Sequence, residues 1–582
     1  MSYKLLFKDA EPADTITRIK KILSNNGIAV TENMMEGFDG VFSASVIIDG
    51  LGLGHNGKGL SREAALASAY AELMERIQNF GLYKFLFPVK DEIDSAKFYY
   101  APDEKAITYN EYMQRITLFK TAIDTNSISV NDLVMINTKY EINSNIVLCV
   151  PYIDYSNNES VYIPARLCEH VYASNGMAAG NTYTEALVQS ICEIFERYAN
   201  RVIYEGKLIP PDIRSEDIPF STEIINIVSK LTQRGNYIIK FKDCSLGIGL
   251  PVVGMYFIDK ATGKYFVKFG SHPVLSVAAE RTITELFQGR SLSRSSFWLN
   301  AFTFGTNIDT DVVFENIFRS GDGSYPYTIF SEASSYAYYN CWCKADGVNN
   351  EALLNYLLNI IKQNNWGLFH RDVSFLGFPS LHVFIPEISN ITQVNKHYLE
   401  KQIWYKRIKK FMKTLNQCNQ KELVEIVDFI DSNYYSEFDT IRRLTGLPLR
   451  GNSSFNNTNN LFFKYLICCK TAEYDRGVKE LNRFLKESFL SFEELAFYRC
   501  LREATIALYV MKMEQSEVIT ILNTVFSSDL VTRVMATILN NRFETFNCFD
   551  CNYCLSKNAC YYPQIIAFDN HISEKYISWK NR

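Results

Sequence analysis

Residues 174–201 read SNGMAAGNTYTEALVQSICEIFERYANR, and the fold is legible outward from this stretch. Its first part is a small-residue loop in which Gly176 and Gly180 are free to take positive φ. From Thr184 and Glu185 onward the spacing predicts a helix, because Ala186, Leu187, Ile191, Ile194 and Phe195 recur at helical period. Glu185, Gln189, Glu193 and Glu196 step by four, four and three, so they share a second face. Carboxylates stacked along one stripe repel each other. A bound cation removes that repulsion, and hard oxygen ligands suit magnesium.

The pattern occurs twice without a gap. Ala65-Leu66-Ala-Ser68-Ala-Tyr-Ala-Glu72-Leu-Met-Glu75-Arg76 matches Ala186-Leu187-Val-Gln189-Ser-Ile-Cys-Glu193-Ile-Phe-Glu196-Arg197. A third, altered copy follows Gly270: Glu280-Arg281-Thr-Ile-Thr-Glu285-Leu-Phe-Gln288-Gly-Arg290. A single Glu-x-x-Glu-Arg is common on solvated helices, but repetition after small-residue loops argues against a salt-bridged surface face. In the third copy Arg281, Glu285 and Gln288 fall on one face.

In the order GKG…SxxxExxER, SNGxxxGNT…EAxxQxxxExxER and ERTxTExxQGR, these motifs resemble the YcaO family. The resemblance covers about residues 1–390, including Lys8-Asp9-Ala10, Thr15 and Tyr162-Ile163-Pro164, and is nearest to stand-alone members with a helical-repeat tail. It implies a mixed α/β (α+β) domain that binds ATP with magnesium by a fold unrelated to P-loops, and phosphorylation of a peptide amide oxygen. It implies magnesium on Glu72, Glu75, Glu193 and Glu196, with Lys8, Thr15, Asn181, Glu185 and Glu285 lining the nucleotide. Arg197 and Arg281 are the expected phosphate clamps, since guanidinium grips phosphate in two-point geometry. Arg197, Arg281 and Glu285 are thus the catalytic candidates, with Ser68, Gln189 and Gln288 as neighbours.

Azoline-forming members usually end in a proline-rich tail and work with a peptide-clamp domain. This chain ends Tyr576-Ile-Ser-Trp-Lys-Asn-Arg582 and carries no fused clamp. The expected activity is therefore that of an ATP-using accessory to β-methylthiolation of a small-subunit ribosomal protein, beside a radical methylthiotransferase. Thioamide or azoline formation (cyclodehydratase chemistry) on a ribosomally made peptide, with a helper protein, is the alternative. A scaffold that binds ATP without chemistry is the third. A homodimer is expected.

Composition narrows the class. The chain has 582 residues, 47% hydrophobic and 21% charged, enough for several domains with buried cores. A net charge of −4 gives no general attraction to nucleic acid or acidic membranes, and no direct nucleic-acid binding is expected. No apolar run is long enough for a bilayer span and the first residues do not make a signal peptide. Fourteen cysteines, mostly in apolar contexts, suit a reducing cytoplasm better than a disulfide framework.

Elsewhere the chain predicts a helix around Thr15–Asn25 and a strand at Phe42–Ile48. Gly52-x4-Gly57-Lys58 falls short of a P-loop because Gly59 stands where Ser or Thr should hold magnesium. It reads instead as a basic loop beside the first carboxylate helix. Tyr237–Phe241, Leu250–Phe257 and Tyr265–Gly270 read as strands, and strands alternating with helices argue for an α/β layered domain. His272 and His370 read as hydrogen-bonded core histidines rather than catalytic bases. The domain is expected to span 1–395, followed by a tetratricopeptide-like helical domain over 396–545, with Gly451–Asn460 as its most linker-like segment. In the last segment, 546–582, Cys548, Cys551, Cys554 and Cys560 have the spacing of a thiolate-bound metal, either zinc or an iron–sulfur cluster.

Overall fold

The computed structural model describes residues 7–82, 98, 100–124, 126–129, 132, 146–234, 236–292, 300–304, 317–318, 323–344, 348–396, 398–400, 411, 415–432, 460–487, 490–539 and 561–582. These residues form two compact units, one drawn from within 1–85, 95–396 and 567–582, the other from within 397–566.

The first unit holds three sheets, and every strand pairing in them is antiparallel among the described strands. One is a meander of β1 (Val30–Phe38), β2 (Val41–Ile48) and β3 (Leu53–Gly59). A second has the order β12-β11-β10-β9-β8, from β8 (Asp212–Ile213), β9 (Tyr237–Asp243), β10 (Val252–Asp259), β11 (Lys264–Ser271) and β12 (Asn300–Ala301). The third has the order β4-β5-β13-β14-β7, from β4 (Lys105–Thr108), β5 (Ile146–Asp154), β7 (Met177–Ala179), β13 (Phe369–Asp372) and β14 (Ser380–Phe384). Strand β6 (Ser160–Pro164) pairs with β5 off that path. The architecture is therefore the antiparallel, mixed α+β form of the expected fold, with no parallel strand pair among the described strands.

The helices of this unit are α1 (Pro12–Asn25), α2 (Arg62–Gln78), α3 (Tyr109–Arg115), α4 (Ala165–Tyr172), α5 (Tyr183–Glu205), α6 (Thr222–Gln233), α7 (Leu275–Leu286) and α8 (Asn350–Gln363). Helix α5 is the organising element: it packs on β7 and β14 of one sheet and on β11 of another. Ala186, Ile191, Ile194 and Phe195 are fully buried there, against Tyr256, Val267, Leu381, Val383 and Leu357. A second core gathers Ile283, Leu286 and Phe287 with Phe38, Phe241 and Phe257. Helix α2 lies on β2 and β3 and also touches β7 and β14.

Two glycine readings change. The Gly50–Gly59 stretch is a turn followed by strand β3, not a loop, paired with β2 from Ile48↔Leu53 to Phe42↔Gly59. A Cβ on Gly57 would lie 2.1 Å from Ala69 N and 2.2 Å from Ala65 O, so this glycine lets α2 settle directly on the strand. In the central loop Gly176 has φ +86°, and a Cβ there would stand 2.0 Å from Val383 O. Gly180 is needed for space alone, because its Cβ would meet Ala186 N at 2.8 Å.

The second unit is helical, as expected: α9 (Gln420–Ser432), α10 (Asn460–Lys470), α11 (Tyr474–Glu487), α12 (Phe492–Thr505), α13 (Gln515–Val525) and α14 (Ser528–Leu539). Its core brings Leu461, Phe462, Leu481, Leu501, Val518 and Val534 together. Lys464 is buried between Asp431 Oδ1 at 2.6 Å and Glu480 Oε2 at 2.9 Å. Helix α15 (Tyr562–Lys580) ends the chain, and its residues from 567 on belong to the first unit. Residues 451–459 and the four cysteines Cys548, Cys551, Cys554 and Cys560 lie outside the described residues. No helix among the described residues is long and apolar enough to cross a membrane.

Candidate active site

Helices α2 and α5 each start on a side-chain cap. Ser61 Oγ accepts from Ala64 N at 3.0 Å, and Thr182 Oγ1 accepts from Glu185 N at 3.1 Å. The caps fix where each helix begins, and hence which way its acidic face points. Leu73 and Ile77 of α2, like Ile191, Ile194 and Phe195 of α5, turn into the core. The Glu-x-x-Glu-Arg faces are left only partly covered.

On those faces Arg76 lies 3.7 Å from Glu72 Oε1 and 3.2 Å from Glu75 Oε1. Arg197 holds Glu193 Oε1 through Nε and Nη2, both at 2.8 Å. Strand β3 adds Lys58, expected beside the first carboxylate helix, and His55, which the motifs did not place in the site. His55 Nδ1 is 3.4 Å from Glu72 Oε1, and Lys58 pairs with Glu285 of α7. Burial lowers the Lys58 ammonium, opposed by the charges of Glu196, Glu72 and Glu193. Strand β3 and helices α2, α5 and α7 therefore converge on one electrostatic site.

Negative charge there exceeds what the cations offset. Burial, then the neighbouring Glu193 and Glu72, push the Glu75 carboxyl well above its ordinary value despite Arg76. Burial pushes Glu196 up to about 7, with Glu193 adding to the effect and Lys58 and Arg197 opposing it. Glu72 goes the other way: burial would raise it, but the His55 hydrogen bond and the Arg76 charge bring it to about 2. Glu196 has no ion-pair partner among the described residues. No three His, Cys, Asp or Glu side chains among them are drawn to ligating distance of one another. Yet the donors are all carboxylate oxygens, and two of them, Glu75 and Glu196, are raised by burial and then by their acidic neighbours. That donor set fits a hard divalent cation.

The nucleotide candidates form a second cluster at the start of α5. Glu185 is buried; its Oε1 accepts from Lys8 Nζ at 3.0 Å, and its Oε2 from Asp9 N at 2.9 Å and Asn181 Nδ2 at 3.2 Å. Burial alone would raise this carboxyl, but the Lys8 charge and these hydrogen bonds hold it below its ordinary value. Thr15 Oγ1 donates to Asn181 Oδ1 at 2.8 Å, which ties α1 to the same point. Arg281 bridges this cluster to α7: Nη2 reaches Gln189 Oε1 at 2.7 Å and Nη1 reaches Ser271 O at 2.6 Å. Lys8, Thr15, Asn181, Glu185, Gln189 and Arg281 are thus brought together, and Glu72, Glu75, Glu193, Glu196, Arg197 and Glu285 lie around the adjoining acidic site.

Two candidates sit differently. Ser68 lies one turn before Glu72 and is half-buried. Gln288 is past the end of α7, off its helical face, and donates to Asn56 O at 3.2 Å. His370 is hydrogen-bonded to the Tyr183 hydroxyl at 2.7 Å, in keeping with its reading as a core residue.

Two family models match the chain: "YcaO cyclodehydratase, ATP- and Mg2+-binding" over residues 56–389, and "YcaO cyclodehydratase C-terminal domain" over residues 406–552. The chain is 27% identical over 514 residues to the Escherichia coli (strain K12) ribosomal protein S12 methylthiotransferase accessory factor YcaO, covering 85% of each. Among solved structures it is similar to a heterocyclase in complex with substrate and cofactor, at 15% identity and a TM-score of 0.47, over 67% of this chain and 54% of that one. It is also similar to YcaO from Methanopyrus kandleri bound with AMPPCP and Mg2+, at 16% identity and a TM-score of 0.39, over 66% of this chain and 93% of that one.

Proposed function

The chain belongs to the YcaO family, and from that membership we propose that it uses ATP and magnesium to activate a backbone amide of a peptide or protein substrate. The observation that carries this reading is the half-buried carboxylate site in which Glu75 and Glu196 are pushed up by crowding and burial. Glu72, Glu75, Glu193 and Glu196 would hold magnesium, which when bound supplies positive charge to phosphate oxygens. Arg197 and Arg281 would bind phosphate, each already held by one partner from α5: Glu193 for Arg197 and Gln189 for Arg281. Lys8, Asn181 and Thr15 would orient the nucleotide beside Glu185, and Lys58 would keep Glu285 in place.

The substrate we propose is a small-subunit ribosomal protein undergoing β-methylthiolation, with this chain as accessory to a radical methylthiotransferase. Similarity to the E. coli accessory factor along 85% of both chains supports that choice. The second reading, azoline or thioamide formation on a ribosomally made peptide, is supported by the cyclodehydratase description of the matching family. Intact masses of the ribosomal proteins from cells with and without this chain test the first reading. A methylthio increment that depends on the chain is expected; unchanged ribosomal masses would reject it. A third reading, a scaffold that binds ATP without chemistry, requires that no ATP be turned over. We further propose, from the resemblance of its paired helices to such repeats, that the helical region is of tetratricopeptide type and serves protein contacts or self-association. From their spacing, Cys548, Cys551, Cys554 and Cys560 hold zinc or an iron–sulfur cluster, which metal analysis of the full chain tests.

A further inference from the structure

A small cavity, open to solvent, lies where the nucleotide cluster meets α7, lined by Lys8, Glu185, Gln189, Arg281, Asn350 and His272. All but Asn350 and His272 are accounted for above. Asn350 is occupied, its amide donating to Phe7 O at 3.2 Å and Asp9 Oδ1 at 2.8 Å. His272 is different. It is 2% exposed, its main chain is pinned by His272 N donating to Pro251 O at 3.1 Å, and its ring lies 5.1 Å from that of Phe7.

The tautomer of His272 follows from one contact. Val274 N donates to His272 Nδ1 at 3.0 Å, so Nδ1 must carry a lone pair and the ring proton sits on Nε2. Burial, with the charges of Arg281 and Lys8, holds the imidazole well below its ordinary value, so it stays neutral. Nε2–H makes no hydrogen bond to the described protein groups and is not itself sealed from solvent, so an acceptor can reach it from the cavity. A group that enters the cavity can supply its acceptor. Lys8 and Glu185 offset each other, so Arg281 leaves the wall of that cavity with net positive charge. An anionic oxygen is the acceptor such a wall selects.

We infer that His272 is a nucleotide-binding residue, a tautomer-locked neutral donor whose Nε2–H bonds a phosphate oxygen of the bound nucleotide. It rests on the nucleotide reading of the site. Two variants separate binding from structure. In His272→Asn the side-chain oxygen can still accept from Val274 N, but no donor reaches the cavity. In His272→Gln the amide nitrogen extends to where Nε2 lay.

The experiment is calorimetric titration of the full chain with magnesium and AMPPNP, alongside nitrogen-resolved NMR of the histidine rings. His272→Asn should weaken binding by about tenfold, the scale of one lost hydrogen bond to a charged group. His272→Gln should recover part of that loss, and the wild-type Nε2–H resonance should shift on adding AMPPNP. Unchanged affinity in His272→Asn, or equal losses in both variants with an unmoved resonance, would overturn the inference while leaving the nucleotide site standing. Failure of the wild type to bind AMPPNP at all would remove the site and the inference with it.

Discussion

Glu196 shows at the scale of one residue what the site is built to do. Its carboxyl titrates near 7 rather than 4.5, so between these values the folded chain holds a proton that the unfolded chain has released. Folding stability without metal should therefore fall as pH rises through 7, the direction expected of a carboxyl raised by burial. Glu196→Gln cannot ionise. Without metal it should melt several degrees above wild type when the pH exceeds 7 and level with it below 4.5. Thermal melts across that range check this, and a difference independent of pH would refute the assignment. The acidic faces were legible in sequence because helical spacing alone places Glu72, Glu75, Glu193 and Glu196. Lys58 of strand β3 was legible as part of a basic stretch beside the first carboxylate helix, but its partner Glu285 on α7, and the contact of His55 with Glu72, depend on tertiary packing that spacing cannot supply.

At the scale of the element, that strand explains why one segment was misread. Between Leu53 and Gly59 the residues buried against α2 include Gly57 and Gly59, so the alternation that betrays a half-buried strand is missing. Glycine there serves close packing, with Ala65 and Ala69 as the matching small residues on α2. Gly57→Ala should push α2 off the sheet and cost about 1–3 kcal/mol or more, since the atoms met are backbone and cannot swing aside. Denaturant unfolding measures this, and a variant as stable as wild type would contradict the packing. The same element carries Lys58, so Gly57→Ala should also weaken magnesium binding. The two carboxylate helices were predictable to within a few residues, because their apolar stripes are a local signal. The direction of the strands was not, since antiparallel and parallel sheets can carry the same apolar runs.

At the scale of the molecule, contacts between distant parts of the sequence close the first unit. Tyr576 of α15 donates to Asp103 Oδ2 at 2.5 Å, and Arg371 grips the same carboxylate at 2.6 and 3.2 Å. Burial would raise Asp103, but the Arg371 charge and these hydrogen bonds hold it below its ordinary value. The Tyr576 ring lies 5.6 Å from Phe80, just past α2, and 5.3 Å from Phe375. Nothing local in the sequence announced this, because the partners are hundreds of residues apart. Tyr576→Ala should cost about 3–5 kcal/mol, the range for emptying a buried aromatic site, read as a lowered unfolding midpoint. A midpoint equal to wild type would show that α15 does not brace this unit. The proposed function requires that the two acidic helices handle magnesium and nucleotide. Its most direct test is magnesium-dependent ATP turnover by the full chain beside Glu193→Gln and Glu196→Gln, with circular dichroism confirming that both variants fold. Turnover by the wild type is expected to need magnesium and to be lost in both folded variants. Turnover that survives both substitutions would contradict it.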